Sequence, residues 1–205
     1  MGPRTFGDRT RWQFLTVPRA PSTDPAPDPL DGIRVVDLTT VMFGPCCTQI
    51  PGAMGADVVK VEPPSGDIGR QTGATRSPGM SAAHLMNGRN KRSIVFDLEQ
   101  RPGIEVLARL TSGADVFVHN MRPQAAARLG LDYERVRRTR ADVVYAHATG
   151  FGVDGLYAER PAYDNLIQGM SGMVGLYRTF RRLRSHIAVF FPHQGAGHFE
   201  SMQAF

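Results

Sequence analysis

The chain has 205 residues, 41% of them hydrophobic and 21% charged, a balance that suits a globular protein with a core and excludes a disordered chain. Its 24 Lys and Arg outnumber 19 Asp and Glu, for a formal net charge of +5, which favours an anionic partner: nucleic acid, a phosphate-bearing cofactor or an acidic substrate. No apolar run approaches the roughly 20 residues of a membrane helix, and the two cysteines, Cys46 and Cys47, are adjacent, which excludes a disulfide scaffold and makes a reducing cytoplasm the expected compartment.

Residues 1–29 hold six prolines and four arginines without helical or strand periodicity, and are expected to form a disordered Pro/Arg-rich tail. The proline spacing argues against the amphipathic helix of an organelle transit peptide. From Leu30 the pattern changes. Ile33–Leu38 is a β-branched strand, and Phe43-Gly44-Pro45 is a turn into a helix over 46–55 that Pro51-Gly52 should break or kink. Asp57–Glu62 is a second strand, which completes a βαβ unit. Strands follow at Ser93–Leu98, Ala114–His119 and Asp142–His147, with helices at Gly103–Leu110, 123–129, 133–140 and 165–175. His186–Phe191 reads as a last strand, and 196–205 starts a helix whose apolar face stops unfinished at Phe205. The alternation implies an α/β fold with a mostly parallel sheet. The abrupt end makes this sheet domain, residues 30–205, expected to be incomplete.

Several chemistries have no support. The chain lacks G-x-S-x-G, a P-loop and G-x-G-x-x-G, so neither NAD nor nucleotide triphosphate chemistry is expected. His193 and His198 are spaced poorly for one helical face, so no metal is expected. The arginines 178, 181, 182 and 184 have too few interleaved aromatics for nucleic acid. Cys46-Cys47 sits at a helix start, where a thiolate would be stabilised, or is simply buried.

Several segments carry a resemblance. PLDGIRVVDLT (29–39), GP (44–45), GADVVKVEPPSGD (55–67), NKRSIVFDL (90–98), ADVFVHNMRP (114–123), RLGLDY (128–133), YAHATGFG (145–152) and PAYDNLIQGMSG (161–172) occur in the order found in the family III CoA-transferases. This is the carnitine dehydratase and bile-acid-inducible F group, which includes formyl-CoA transferases and α-methylacyl-CoA racemases. The resemblance implies a Rossmann-like, CoA-binding large domain, acyl-CoA and carboxylic acid substrates, and an interlocked homodimer. It also leads to the expectation that this sequence is the N-terminal portion of that large domain, without the family's small domain and return segment. No metal, nucleic acid or membrane partner is implied.

The positions that match the family's CoA contacts are Met42, Phe96, Asn120, Arg122 and Arg128. Arg122 and Arg128 offer forked donors to phosphate. Met42 stands where many members have glutamine, and Glu99 where a lysine is common, with Arg101 a possible replacement for the lost charge. Lys60 and Lys91 match the family pattern and read equally as structural. Transferases of the family use an aspartate nucleophile that passes through a mixed anhydride to an aspartyl-CoA thioester. Its aligned position here is Arg181 or Arg182, and Glu200 is the only acidic residue after Asp164. Asp164 matches the carboxylate that the family's racemases pair with a histidine for α-proton transfer. His147 is the nearest candidate for that histidine, and an N-cap role for Asp164 is the structural alternative. Three readings therefore stand: a transferase copy that is truncated or impaired, a racemase-like enzyme using Asp164, and a non-catalytic CoA-binding fragment.

Overall fold

The structure, a computed structural model, describes residues 28–176 except Ala74, Val153, Glu159 and Val174. Five strands form one sheet: β1 (Arg34–Leu38), β2 (Asp57–Glu62), β3 (Lys91–Val95), β4 (Val116–His119) and β5 (Val144–His147). Their order is β3-β2-β1-β4-β5, and every neighbouring pair is parallel. The helices are α1 (Phe43–Ala53), α2 (Ala82–Asn87), α3 (Arg101–Ser112), α4 (Pro123–Leu129), α5 (Tyr133–Thr139) and α6 (Asp164–Met170), with a 3₁₀ turn at Ile68–Gln71. This is the mostly parallel α/β arrangement that the alternation of strand and helix signals implied.

Buried strands in such a sheet read as near-continuous apolar runs because both faces are covered. Val36, Leu38, Val61 and Phe117 point to one face, where they pack with Leu107 of α3, Ala126 of α4 and Val136 of α5. Val35, Val58, Val116 and Val118 point to the other, with Leu30, Ile33 and Ala146. Two of the glycines that the geometry requires bound helices α1 and α4. An added Cβ at Gly44 would overlap the Thr39 side chain, so the turn from β1 into α1 closes only without one. Gly130 ends α4 in the left-handed conformation at φ +73.

The observed elements differ from expectation at the first helix, at the third strand and in the stretch between β2 and β3. The first helix runs through Pro51 to Ala53. Pro51 lies in the last turn, and the Met54 N–H reaches both Ile50 O and Pro51 O, so the missing proline N–H shortens the ladder without ending it. The third strand occupies Lys91–Val95 rather than 93–98. Phe96 and Leu98 are apolar because they pack on the core under α3, while the chain already turns there through a Glu99 N–H to Asp97 Oδ1 bond of 2.8 Å. The 3₁₀ turn and α2 went unread. Their signals are Asp67, whose side chain accepts from Gly69 N, and Ser81, whose hydroxyl accepts from His84 N at 3.1 Å. The strand expected at 186–191 and the helix at 196–205 lie outside the described residues.

Candidate functional site

The chain leaves β1 for α1 and β4 for α4, and these two strands are neighbours in the sheet. In a doubly wound sheet, the crevice outside the carboxyl ends of two such strands is where ligands bind. A cavity of about 340 Å³ opens there. Its walls include Val41 and Met42 after β1, Asn120 and Arg122 after β4, Thr149 after β5, and Arg160. Arg160 lies over the Tyr157 ring at 5.0 Å.

Of the six expected coenzyme contacts, Met42, Asn120 and Arg122 converge on this cavity. Met42 is nearly buried, and its Sδ accepts from Asn87 Nδ2 at 3.4 Å. Arg122 is exposed at the start of α4. Asn120 is already engaged by the backbone: its Oδ1 accepts from Thr40 N and its Nδ2 donates to Thr40 O, both at 3.0 Å. Arg101 and Arg128 line a second cavity, about 480 Å³, between the start of α3 and the end of α4. Glu99 shares that wall, and Arg101 is paired with Glu105 at 3.1 Å. Phe96 lines neither cavity and packs on the core.

Beneath the first cavity lies a buried polar network that the sequence reading missed, apart from its two lysines. Asp37 at the end of β1 accepts from Thr39 N at 2.8 Å, from Thr48 Oγ1 at 2.6 Å and from Lys91 Nζ at 3.1 Å. Burial alone would raise the Asp37 pKa, but Lys91, Lys60 and the two threonine hydroxyls outweigh it and the carboxyl stays below its usual range. Lys91 is pushed the other way, downward, because burial outweighs the attraction of Asp37. Lys60 Nζ meets Asp67 Oδ2 at 2.8 Å and Thr39 O at 2.6 Å. Arg70 grips Glu62 with two bonds, 2.6 and 2.7 Å. Glu62 also accepts from Ser93 Oγ and Asp67 N. Against the effect of burial, these partners hold the Glu62 carboxyl at about 2. Lys60 and Lys91 are therefore structural in position.

A second buried cluster occupies the ends of β4 and β5. His119 Nδ1 accepts from Met121 N at 3.3 Å, which leaves Nε2 as the protonated nitrogen, 2.6 Å from Tyr145 Oη. Tyr145 donates in turn to Leu131 O at 2.8 Å. The His147 ring stacks on His119 with centroids 4.2 Å apart, and its Nε2 lies 2.8 Å from Met121 O. Burial, with a smaller push from His147, brings the His119 pKa down to about 3. Burial raises Tyr145 to about 12.

Asp164 opens α6 as its first residue rather than capping it; the N-cap is Tyr163. Its Oδ2 accepts from Gln168 Nε2 at 2.5 Å, and its Oδ1 is buried with no hydrogen-bond partner among the described residues. Tyr163 and Ile167, its neighbours on α6, line the first cavity, but Asp164 itself does not. His147 Nε2 lies against Met121 O, and no hydrogen bond joins His147 to Asp164 among the described residues. Burial raises the Cys46 thiol pKa, only partly opposed by Lys91, so the helix start does not stabilise a thiolate there. Arg181, Arg182, the other arginines of that cluster, His193 and His198 lie outside the described residues. No described helix is long and apolar enough to cross a membrane.

Residues 30–191 match the sequence profile of CoA-transferase family III. The chain belongs to that family. It is 41% identical over 157 residues to a succinate–glutarate CoA-transferase of Agrobacterium fabrum, covering 72% of this chain and 39% of that protein. It is 42% identical over 145 residues to a formyl-CoA:oxalate CoA-transferase of Streptomyces avermitilis, covering 70% and 35%. The family III fold also agrees in three dimensions: a CaiB/BaiF family protein of Brucella suis superposes with a TM-score of 0.81 at 37% identity, over 87% of this chain and 48% of the other. The chain thus spans less than half the length of the relatives it matches.

Proposed function

We propose that these residues bind a CoA thioester, as the coenzyme-holding part of an enzyme that moves CoA between carboxylic acids. The observation that carries this reading is the cavity at the β1/β4 crevice, which combines an apolar wall at Met42 with guanidinium groups at Arg122 and Arg160. CoA asks for that combination: an apolar slot and cations for its phosphates. Arg101 and Arg128 at the second cavity are the further cations we assign to the coenzyme. In this reading residues 30–205 are the large, coenzyme-binding domain, residues 1–29 are a tail, and the working unit is a cytoplasmic homodimer. Asn120 contributes by fixing the cavity wall through Thr40 as well as by any contact of its own.

The chain as it stands is assigned binding rather than transfer. The position that the resemblance aligns with the family's nucleophile is Arg181 or Arg182. Arginine does not form an acyl anhydride. A racemase-like use of Asp164 is the alternative, and the carboxylate's bonded partner among the described residues is Gln168 rather than a histidine. Asp164 is nevertheless the carboxylate to replace first should any turnover be found.

Calorimetric titration of the full chain with CoA and acetyl-CoA tests the reading. A saturable heat is expected, weakened about tenfold by Arg122→Ala or Arg128→Ala, the usual worth of a charge-assisted phosphate contact. A flat titration of the unaltered chain overturns it.

A further inference from the structure

Three consecutive residues of the β1–α1 connection are each held by a different part of the fold. Thr39 donates its N–H to Asp37 Oδ1 at 2.8 Å and accepts from Lys60 Nζ at its carbonyl, 2.6 Å. Thr40 is gripped on both backbone groups by Asn120. Val41 donates its N–H to Asp67 Oδ1 at 3.1 Å. Val41 has φ +72, a left-handed conformation that a β-branched residue strongly avoids. Its side chain is 40% exposed, so burial does not account for the strain.

Asp67 makes that conformation affordable. Its Oδ1 also accepts from Gly69 N at 2.8 Å, and its Oδ2 pairs with Lys60 at 2.8 Å, both side chains almost wholly out of water. Gly69 sits so close beneath the turn that an added Cβ would lie 2.9 Å from Val41 O. Val41, Met42 and Asn120 together form one side of the first cavity.

We propose that Asp67, paired with Lys60, is a positioning residue for this cavity: it holds Val41 in the left-handed conformation that sets the Met42 wall against the ligand. Asp67 does not line the cavity and acts through Val41. The ligand half of this inference rests on the CoA-thioester reading above.

The test uses the full chain as Asp67→Ala, Val41→Gly and the double variant, with two readouts. One is hydrogen exchange of the Thr40 amide, whose partner Asn120 is untouched by either substitution. The other is the dissociation constant for acetyl-CoA. Asp67→Ala is expected to speed Thr40 exchange about tenfold and to weaken acetyl-CoA by a similar factor, the scale of a left-handed non-glycine residue losing its support. Adding Val41→Gly is expected to restore both, because glycine takes positive φ without strain. A double variant no better than Asp67→Ala overturns the proposal, since Asp67 would then merely support the fold. Unchanged Thr40 exchange in Asp67→Ala overturns it as well. Should Asp67→Ala fail to fold, Asp67→Asn keeps an acceptor for Val41 and Gly69 but loses the Lys60 pair. A smaller loss, again rescued by Val41→Gly, is then expected, and no rescue overturns the proposal. If the unaltered chain does not bind acetyl-CoA, the CoA-thioester reading fails and takes the ligand half with it, while the exchange readout still decides the clamp.

Discussion

The two halves of the sheet's carboxyl edge are buried by opposite means. Under β1, β2 and β3, formal charges are removed from water in pairs: Asp37 with Lys91, Lys60 with Asp67, Glu62 with Arg70. Under β4 and β5 the buried polar groups are neutral, the His119–Tyr145–Leu131 chain with His147 stacked above it. Two of these charge pairs, Lys60–Asp67 and Glu62–Arg70, close short stretches of chain and the third, Asp37–Lys91, a long one; Lys60 and Asp67 hold the turn from β1 to α1. The ring cluster fixes strand ends and resists only while its imidazole stays uncharged. A buried ion pair also contributes little net stability over an apolar substitute, but breaking it strands a charge. The two halves should therefore fail differently.

The largest difference should follow Asp37→Ala, which leaves Lys91 buried without its carboxylate. A loss of roughly 3–5 kcal/mol is expected in urea unfolding at pH 7, and a loss below about 1 kcal/mol would show that Lys91 simply discharges or reorients.

Acid separates the halves next. His119 carries a folded pKa of about 3 against an ordinary 6.5. The unfolded chain binds the proton first, so its contribution is complete above pH 6.5 and drains away as pH falls toward 3, by up to about 1.4 kcal/mol per pH unit. Glu62, at about 2 against an ordinary 4.5, keeps its contribution above pH 4.5 and loses it only between 4.5 and 2. Unfolding free energy measured between pH 7 and 5 should thus decline mainly through His119, with a smaller part from His84, whose pKa burial also lowers, and His119→Phe should flatten most of that stretch of the curve. A slope undiminished by the substitution would place the acid-sensitive group elsewhere.

A smaller effect is expected from Tyr145→Phe, which removes the donor to Leu131 O and the partner of His119 Nε2. About 1–2 kcal/mol is expected from thermal unfolding, the range for a buried hydrogen-bonded hydroxyl. At the bottom of the scale is Arg101→Ala. The Arg101–Glu105 pair is exposed, with side-chain accessibilities of 91% and 58%. Its removal should change stability by less than about 0.5 kcal/mol, and a larger change would mean that the helix start at α3 depends on it.

Much of the β3–β2–β1–β4–β5 sheet was legible because its strands are short β-branched runs that both faces bury, as in Val58, Val59 and Val61 or Val116, Phe117 and Val118. The third strand slipped because burial, not strand pairing, makes Phe96 and Leu98 apolar. The helix over Pro51 was misjudged because a proline in the last turn removes one bond that the following residues replace. Of the candidate site, Met42, Asn120 and Arg122, named by the resemblance, line one cavity at the strand ends, while Arg101 and Arg128 line another. Arg160 was not singled out because an arginine in a long connection carries no periodic signal.

What the sequence determined by itself is the alternation of strands and helices, and membership of a family whose segments occur here in order. Those are properties of local pattern, which the chain carries residue by residue. What only the tertiary structure decided is which polar groups meet. Asp37 and Lys91 are 54 positions apart, and Asn120 and Thr40 are 80 apart. No local rule pairs them. Parallel strands brought side by side at one edge do so, and the low-dielectric interior makes each such meeting obligatory.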